Sequence, residues 1–127
     1  MEIDSYDPLK APDPEAWLAL DESTRMQLVE DWHQAARIAL PNARAHAMMH
    51  AVVENQVAEG DKLPVANRLR QLMAQGLNRH QAIHAIASVL MQHMADLIGG
   101  RAGTGDPNAR YYSALKRLDA RKWLRSE

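Results

Sequence analysis

The sequence carries two pairs of histidines at helical spacing, His46 and His50 in HAMMHAVVEN and His80 and His84 in RHQAIHAI. Each pair sits among alanines, methionines and branched aliphatics rather than among polar residues. Histidines at i and i+4 stand one turn apart, ~6 Å along one helix face, a spacing that lets both rings bind one divalent ion. Two such pairs offer up to four nitrogens. An imidazole-rich donor set suits a divalent transition metal such as Zn, Fe or Ni, and also Cu. His33 and Glu54 are the further candidate ligands. His46 and Glu54 lie ~12 Å apart along a helix axis, too far to share one ion. Either His50 and Glu54 join the His80–His84 pair, or His46 and His50 do.

The direction in which these rings point follows from the helical period. At about 100° per residue, His50 falls ~40° from His46, with Val53 and Val57 each within ~20° of it and Asn55 on the opposite, wet side. Glu54 falls ~80° away, on the border of the stripe. On the later helix His84 lies ~40° from His80, flanked by Ala87 and Met91, whereas His93 projects off the stripe at ~220°. His33 lies between Met26 and Val29 on an earlier helix, with Glu30 beside it. Five of the six histidines therefore face the core. A buried neutral imidazole has one donor and one acceptor, and each left unpaired costs ~1–3 kcal/mol. Rings at these positions must meet one another, a carboxylate or an ion.

Two functions fit this pattern. The first is a metal-binding helical domain, hydrolytic if one coordination position stays open to water, with Glu54 or Glu30 as a general base. The second is a non-catalytic interaction or dimerisation module whose buried histidines form a polar network without metal. Other chemistry lacks its residues. Ala47 follows His46, so the HExxH helix of zinc peptidases is missing, and GGRAGTG has no preceding strand and no Lys-Ser/Thr. No serine sits in a nucleophile elbow. The absence of cysteine excludes disulfides, thiolate ligands and a cysteine nucleophile.

The elements that must position these residues are helices. Residues 1–12, with Pro8 and Pro12, read as a flexible arm. Asp13-Pro14 is an N-cap followed by proline at the first helical position, opening a short helix to about Leu20. Asp21 caps a second helix to about Arg37, and Pro41-Asn42 breaks the chain and caps a third that ends before Gly60. Pro64 opens a fourth, closed by Gly76. Asn78 with Gln81 forms a capping box, with Leu77 as its hydrophobic staple, on a fifth helix running to Ile98. Residues 99–106 form a glycine-rich linker, and 107–127 form a C-terminal helix begun by Asp106-Pro107, with Asp119 capping a last turn that carries Trp123. No segment alternates with the period of a strand. The expectation is a single all-α domain over 1–127, a bundle of five to six helices around a core at 13–98. In an up-down-up path the third and fifth helices run parallel. Their N-terminal histidine pairs then lie at one level, and the antiparallel second helix brings Glu30 and His33 to it.

At 127 residues and 46% hydrophobic content the chain supports one core. Residues 1–31 hold nine acidic and two basic side chains, and the remainder seven acidic and thirteen basic. The bases are scattered and do not interleave with aromatics as a nucleic-acid groove requires. Nucleic acid is therefore not the expected partner, and the acidic segment is expected to pack against the basic remainder. No apolar run reads as a signal or a membrane span, so a cytoplasmic location is expected. Trp17 and Trp123 near the two ends suggest apolar surface that a second copy covers, hence a homodimer.

From about Trp17 to His93 the sequence resembles a family of small uncharacterised bacterial helical proteins, a domain of unknown function. LPNARAHAMMHAVVENQVAEGDKLPV and LMAQGLNRHQAIHAIASVL carry the resemblance. It implies a helical, intracellular bacterial protein and brings no activity. More loosely, the chain is similar to hemerythrin-like metal-binding bundles, which use HxxxE and HxxxH on neighbouring helices as His50…Glu54 and His80…His84 stand here. The closing histidine–aspartate helix of a hemerythrin has no counterpart, since His93 and Asp96 have neither its spacing nor its face.

Overall fold

A computed structural model describes residues 3–38, 42–101 and 103–126. Among the described residues seven α-helices follow one another: α1 (Pro14–Ala19), α2 (Glu22–Ala35), α3 (Ala43–Ala58), α4 (Val65–Ala74), α5 (Arg79–Ile98), α6 (Pro107–Arg117) and α7 (Ala120–Ser126). A short 3-10 turn, Gly60–Lys62, separates α3 from α4, and no strand occurs among the described residues. The all-α class is as the sequence implies. The C-terminal segment forms α6 and, as its expected last turn, α7, with Leu118 extended between them and Asp119 Oδ1 accepting from Lys122 N at 3.1 Å. Pro41, expected to break the chain before α3, lies outside the described residues.

The helix ends form for local reasons. The Asp13, Asp21 and Asn42 side chains each accept from a backbone N–H three residues on, at 3.0, 2.8 and 3.0 Å. Each such cap stabilises its helix by ~1 kcal/mol. At α5 the Asn78 side chain accepts from Gln81 N (2.8 Å) while Gln81 Oε1 accepts from Asn78 N (3.0 Å), completing the capping box. Leu77, the staple residue, is buried. Gly76 terminates α4 at φ +113°, a conformation that suits glycine.

α3 is the central helix, packed against α1, α2, α4 and α5. Its Ala47 and Ala51 join Tyr6, Trp17 and Val29 in one apolar cluster. Its Val53 joins a larger one with Leu69, Leu72, Ile83, Ile86 and Leu115. Burial of each large aliphatic contributes ~1.5–3 kcal/mol. His46 and His50 fall between these two apolar sides.

Enclosure of α3 on several sides changes three expectations. Asn55 does not face water. Its Oδ1 accepts from Trp17 Nε1 (2.9 Å) and from Arg25 Nη1 (3.0 Å), tying α1 and α2 to α3. Trp17 is fully buried rather than a surface tryptophan, and Trp123 is half-buried. The exposed apolar side chains include Met91, Met94 and Ile98 along α5. Finally, the N-terminal arm is not wholly peripheral, since Tyr6 and Pro8 are core residues. No helix of the described residues is long and apolar enough to cross a membrane.

Candidate metal centre

Five histidines from three helices meet. His33 comes from the last turn of α2, His46 and His50 from the first half of α3, and His80 and His84 from the first two turns of α5. Ring centroids lie 4.2 Å apart for His80–His84, 5.4 Å for His50–His80 and His50–His84, and 5.3 Å for His33–His50. One ligand atom each from His33, His50, His80 and His84 fall within 4.8 Å of one another. At Zn–N distances of ~2.0–2.1 Å, nitrogens sharing one ion lie ~3.3 Å apart in a tetrahedron and at most ~4.2 Å across the ion. The four rings are therefore close enough to hold one ion after small rotations. His46 completes the group, its Nε2 lying 3.2 Å from His33 Nε2 and 3.1 Å from His84 Nε2. His93 stands apart, stacked on Tyr111 at 5.5 Å.

Backbone and side-chain partners set the tautomers. His33 Nδ1 lies 2.8 Å from the carbonyl oxygen of Val29, one turn earlier in α2. A carbonyl only accepts, so Nδ1 carries the proton and the lone pair is at Nε2. His50 Nδ1 faces the Tyr6 hydroxyl at 3.3 Å, and that hydroxyl lies 2.5 Å from Glu54 Oε2. Burial, and then the Glu54 charge, raise the Tyr6 pKa far above the ordinary phenol value, so the hydroxyl keeps its proton. It donates to the carboxylate, and its oxygen accepts from His50 Nδ1–H. The lone pair of His50 is thereby directed from Nε2, which is buried and has no hydrogen-bond partner. His80 Nε2 is likewise buried and unpartnered.

Four of the rings, His46, His50, His80 and His84, are held neutral. Burial, followed by the neighbouring imidazoles, pushes His80 down to about 4 and His84 down to about 3. The same causes lower His46 and take His50 well below the ordinary value. Neutral imidazole is the form that ligates a metal.

Glu54 is a candidate ligand on sequence, but both of its oxygens are engaged elsewhere. Arg79 Nη1 and Nη2 donate to Glu54 Oε2 and Oε1 at 2.7 and 2.8 Å, a bidentate pair with side chains 5% and 1% exposed. Burial alone would lower the Arg79 pKa, but the hydrogen bonds and charge of Glu54 outweigh it and raise the pKa. Arg79 also donates to the Pro8 carbonyl at 3.0 Å, so the N-terminal arm closes over the pair from Tyr6 to Pro8. Glu54 reaches the histidines only through Tyr6, as a carboxylate that orients the hydroxyl beside His50. It does not stand free as a general base, and Glu30 is paired with Arg44 at 3.1 Å.

Sequence reasoning missed Tyr6, Arg79 and Trp32. Trp32 presents its ring edge-on to both His33 and His80, at 4.9 Å and 87° in each case. A signal for Arg79 exists. At about 100° per residue it projects between Ile83 and Ile86, a charge on a buried side that requires an opposite charge. Nothing local marks Tyr6, whose place depends on contacts 44 and 48 residues away.

Comparisons of the chain with protein-family models, with curated proteins and with solved structures find no match.

Proposed function

We propose that this chain is a metal-binding helical domain that holds one divalent transition ion through His33, His50, His80 and His84, with His46 as a further nitrogen. The observation that carries this reading is the proton count among the five rings. His33 Nε2 offers a lone pair, and His46 Nε2 faces both it and His84 Nε2 at hydrogen-bonding distance. One N–H at His46 cannot satisfy both neighbours well, while His50 Nε2 and His80 Nε2 have no partner at all. As a metal-free polar network the cluster leaves buried ring nitrogens unpaired, at ~1–3 kcal/mol each. With a cation at its centre the same nitrogens become ligands. The all-nitrogen donor set favours Zn, Fe, Ni or Cu over Mg or Ca.

The interaction-module reading, with a histidine network and no metal, separates from this one by experiment. Unfolding of the protein is followed with and without a strong chelator, for the natural sequence and for His84→Ala. Metal binding predicts that the chelator lowers the midpoint of the natural protein and does nothing further to His84→Ala. A network alone predicts that His84→Ala costs stability while the chelator changes neither protein.

A further inference from the structure

The histidine cluster is flanked by aromatic rings and also borders a cleft. Trp32 covers His33 and His80 edge-on, and Tyr6 closes on His50 with its ring 5.5 Å away, also edge-on. Beside the rings lies an open cleft of ≈ 370 Å³. It is lined by the imidazoles of His46, His50 and His84 and by Met49, Met91 and Trp123, with Ala87 and Ser88. Apart from the imidazoles, no acidic or basic side chain lines it. Of the five rings, His33 and His50 are buried, whereas His46, His80 and His84 are only partly so. His46 and His84 line the cleft and His80 does not, so access from the cleft runs past His46 and His84.

The charge of such a centre is unusual. Four or five neutral imidazoles bring no negative charge to a dication, Glu54, the carboxylate hydrogen-bonded to Tyr6, is already neutralised by Arg79, and the Asp7 charge reaches the cluster at His80 rather than at the cleft. An uncompensated charge between apolar walls is costly. An anion at a further coordination position, beyond the four histidine nitrogens, offsets it, by the same attraction with which a metal on neutral histidines lowers the pKa of its bound water to ~7. We propose that the cleft walled by Met49, Met91 and Trp123 admits a small anion that binds the metal directly on the side of His46 and His84. This rests on the metal-binding reading above and adds to it the route, the face of the ion and the ligand class.

Cobalt(II)-substituted protein with sodium azide as the probe tests it, because the visible bands of cobalt report its coordination without any assay of activity. Azide is expected to change those bands in a saturable titration. Met91 is 55% exposed at the cleft wall and is not a proposed ligand, so its charge can be altered without touching the core. Met91→Lys is expected to tighten azide binding and Met91→Glu to weaken it, both effects shrinking as salt rises. The lysine variant does not ligate at neutral pH, so a tighter Kd there reflects attraction along the cleft. Failure of the protein to take up cobalt overturns the metal reading itself. Cobalt uptake with bands that azide leaves unchanged overturns only the anion proposal. Azide binding that is indifferent to both charges at position 91 overturns the route.

Discussion

The Tyr6 hydroxyl lies 3.3 Å from His50 Nδ1, joining the N-terminal arm to the central helix across 44 residues of chain. Because the hydroxyl proton is directed to Glu54, His50 must donate from Nδ1 and present its lone pair at Nε2. Tyr6→Phe removes the acceptor of one buried donor and a donor to a buried carboxylate. It is expected to destabilise the metal-free protein by ~1–3 kcal/mol, measured by urea unfolding. Metal affinity is expected to fall ~10–100-fold in chelator competition, as for other outer partners of ligating histidines. An unchanged affinity would remove Tyr6 from any role in orienting His50.

The Glu54–Arg79 pair predicts a different signature. Arg79→Met leaves Glu54 buried and unpaired, which costs ~3–5 kcal/mol, whereas Glu54→Leu with Arg79→Met removes both charges and recovers much of that loss. Urea unfolding of the single and double variants measures the difference. Equal destabilisation in the two proteins would contradict the assignment of Glu54 to Arg79.

Acidification separates the folded from the unfolded chain. Unfolded histidines titrate near ~6.5, while burial holds His80 at about 4 and His84 at about 3 in the fold. Below ~6.5 the unfolded chain therefore binds more protons, and stability falls as pH falls. The loss continues down through the folded values and is absent above ~6.5. For metal-free protein, thermal unfolding temperatures are expected to be flat from pH ~8 to ~7 and to drop toward pH ~5. His80→Gln with His84→Gln should flatten that slope, and a slope unaltered by the double substitution would place its origin in other groups.

Much of the fold was legible because its signals are local. Asp13-Pro14, Asn78 with Gln81, and Gly76 each act within one turn of chain, and each does in the structure what its residue type dictates. The meeting of His33 with both histidine pairs was legible from stripe position and connectivity, since helices joined by short loops have few ways to pack. The helical projection failed where it assumed a single buried side. Asn55 lies opposite His46 and so projects to the wet side, yet α1 and α2 cover that side of α3. The spacing of Glu54 from His50 suits a ligand, yet its carboxylate pairs with Arg79, 25 residues away on another helix. Tyr6 sits in a segment without periodicity, so only the long-range contact reveals it.

The ion proposed for the histidine cluster is open to elemental analysis of untagged protein, purified without a nickel column from metal-replete cells. About one equivalent of a transition metal per chain is expected, removed by chelator or by dialysis below the ~6.5 range of ordinary histidine. None is expected in His84→Ala. Natural protein that carries no metal and takes up none when zinc, iron, nickel or copper is added would contradict the proposed ion, leaving the cluster as a hydrogen-bonded network.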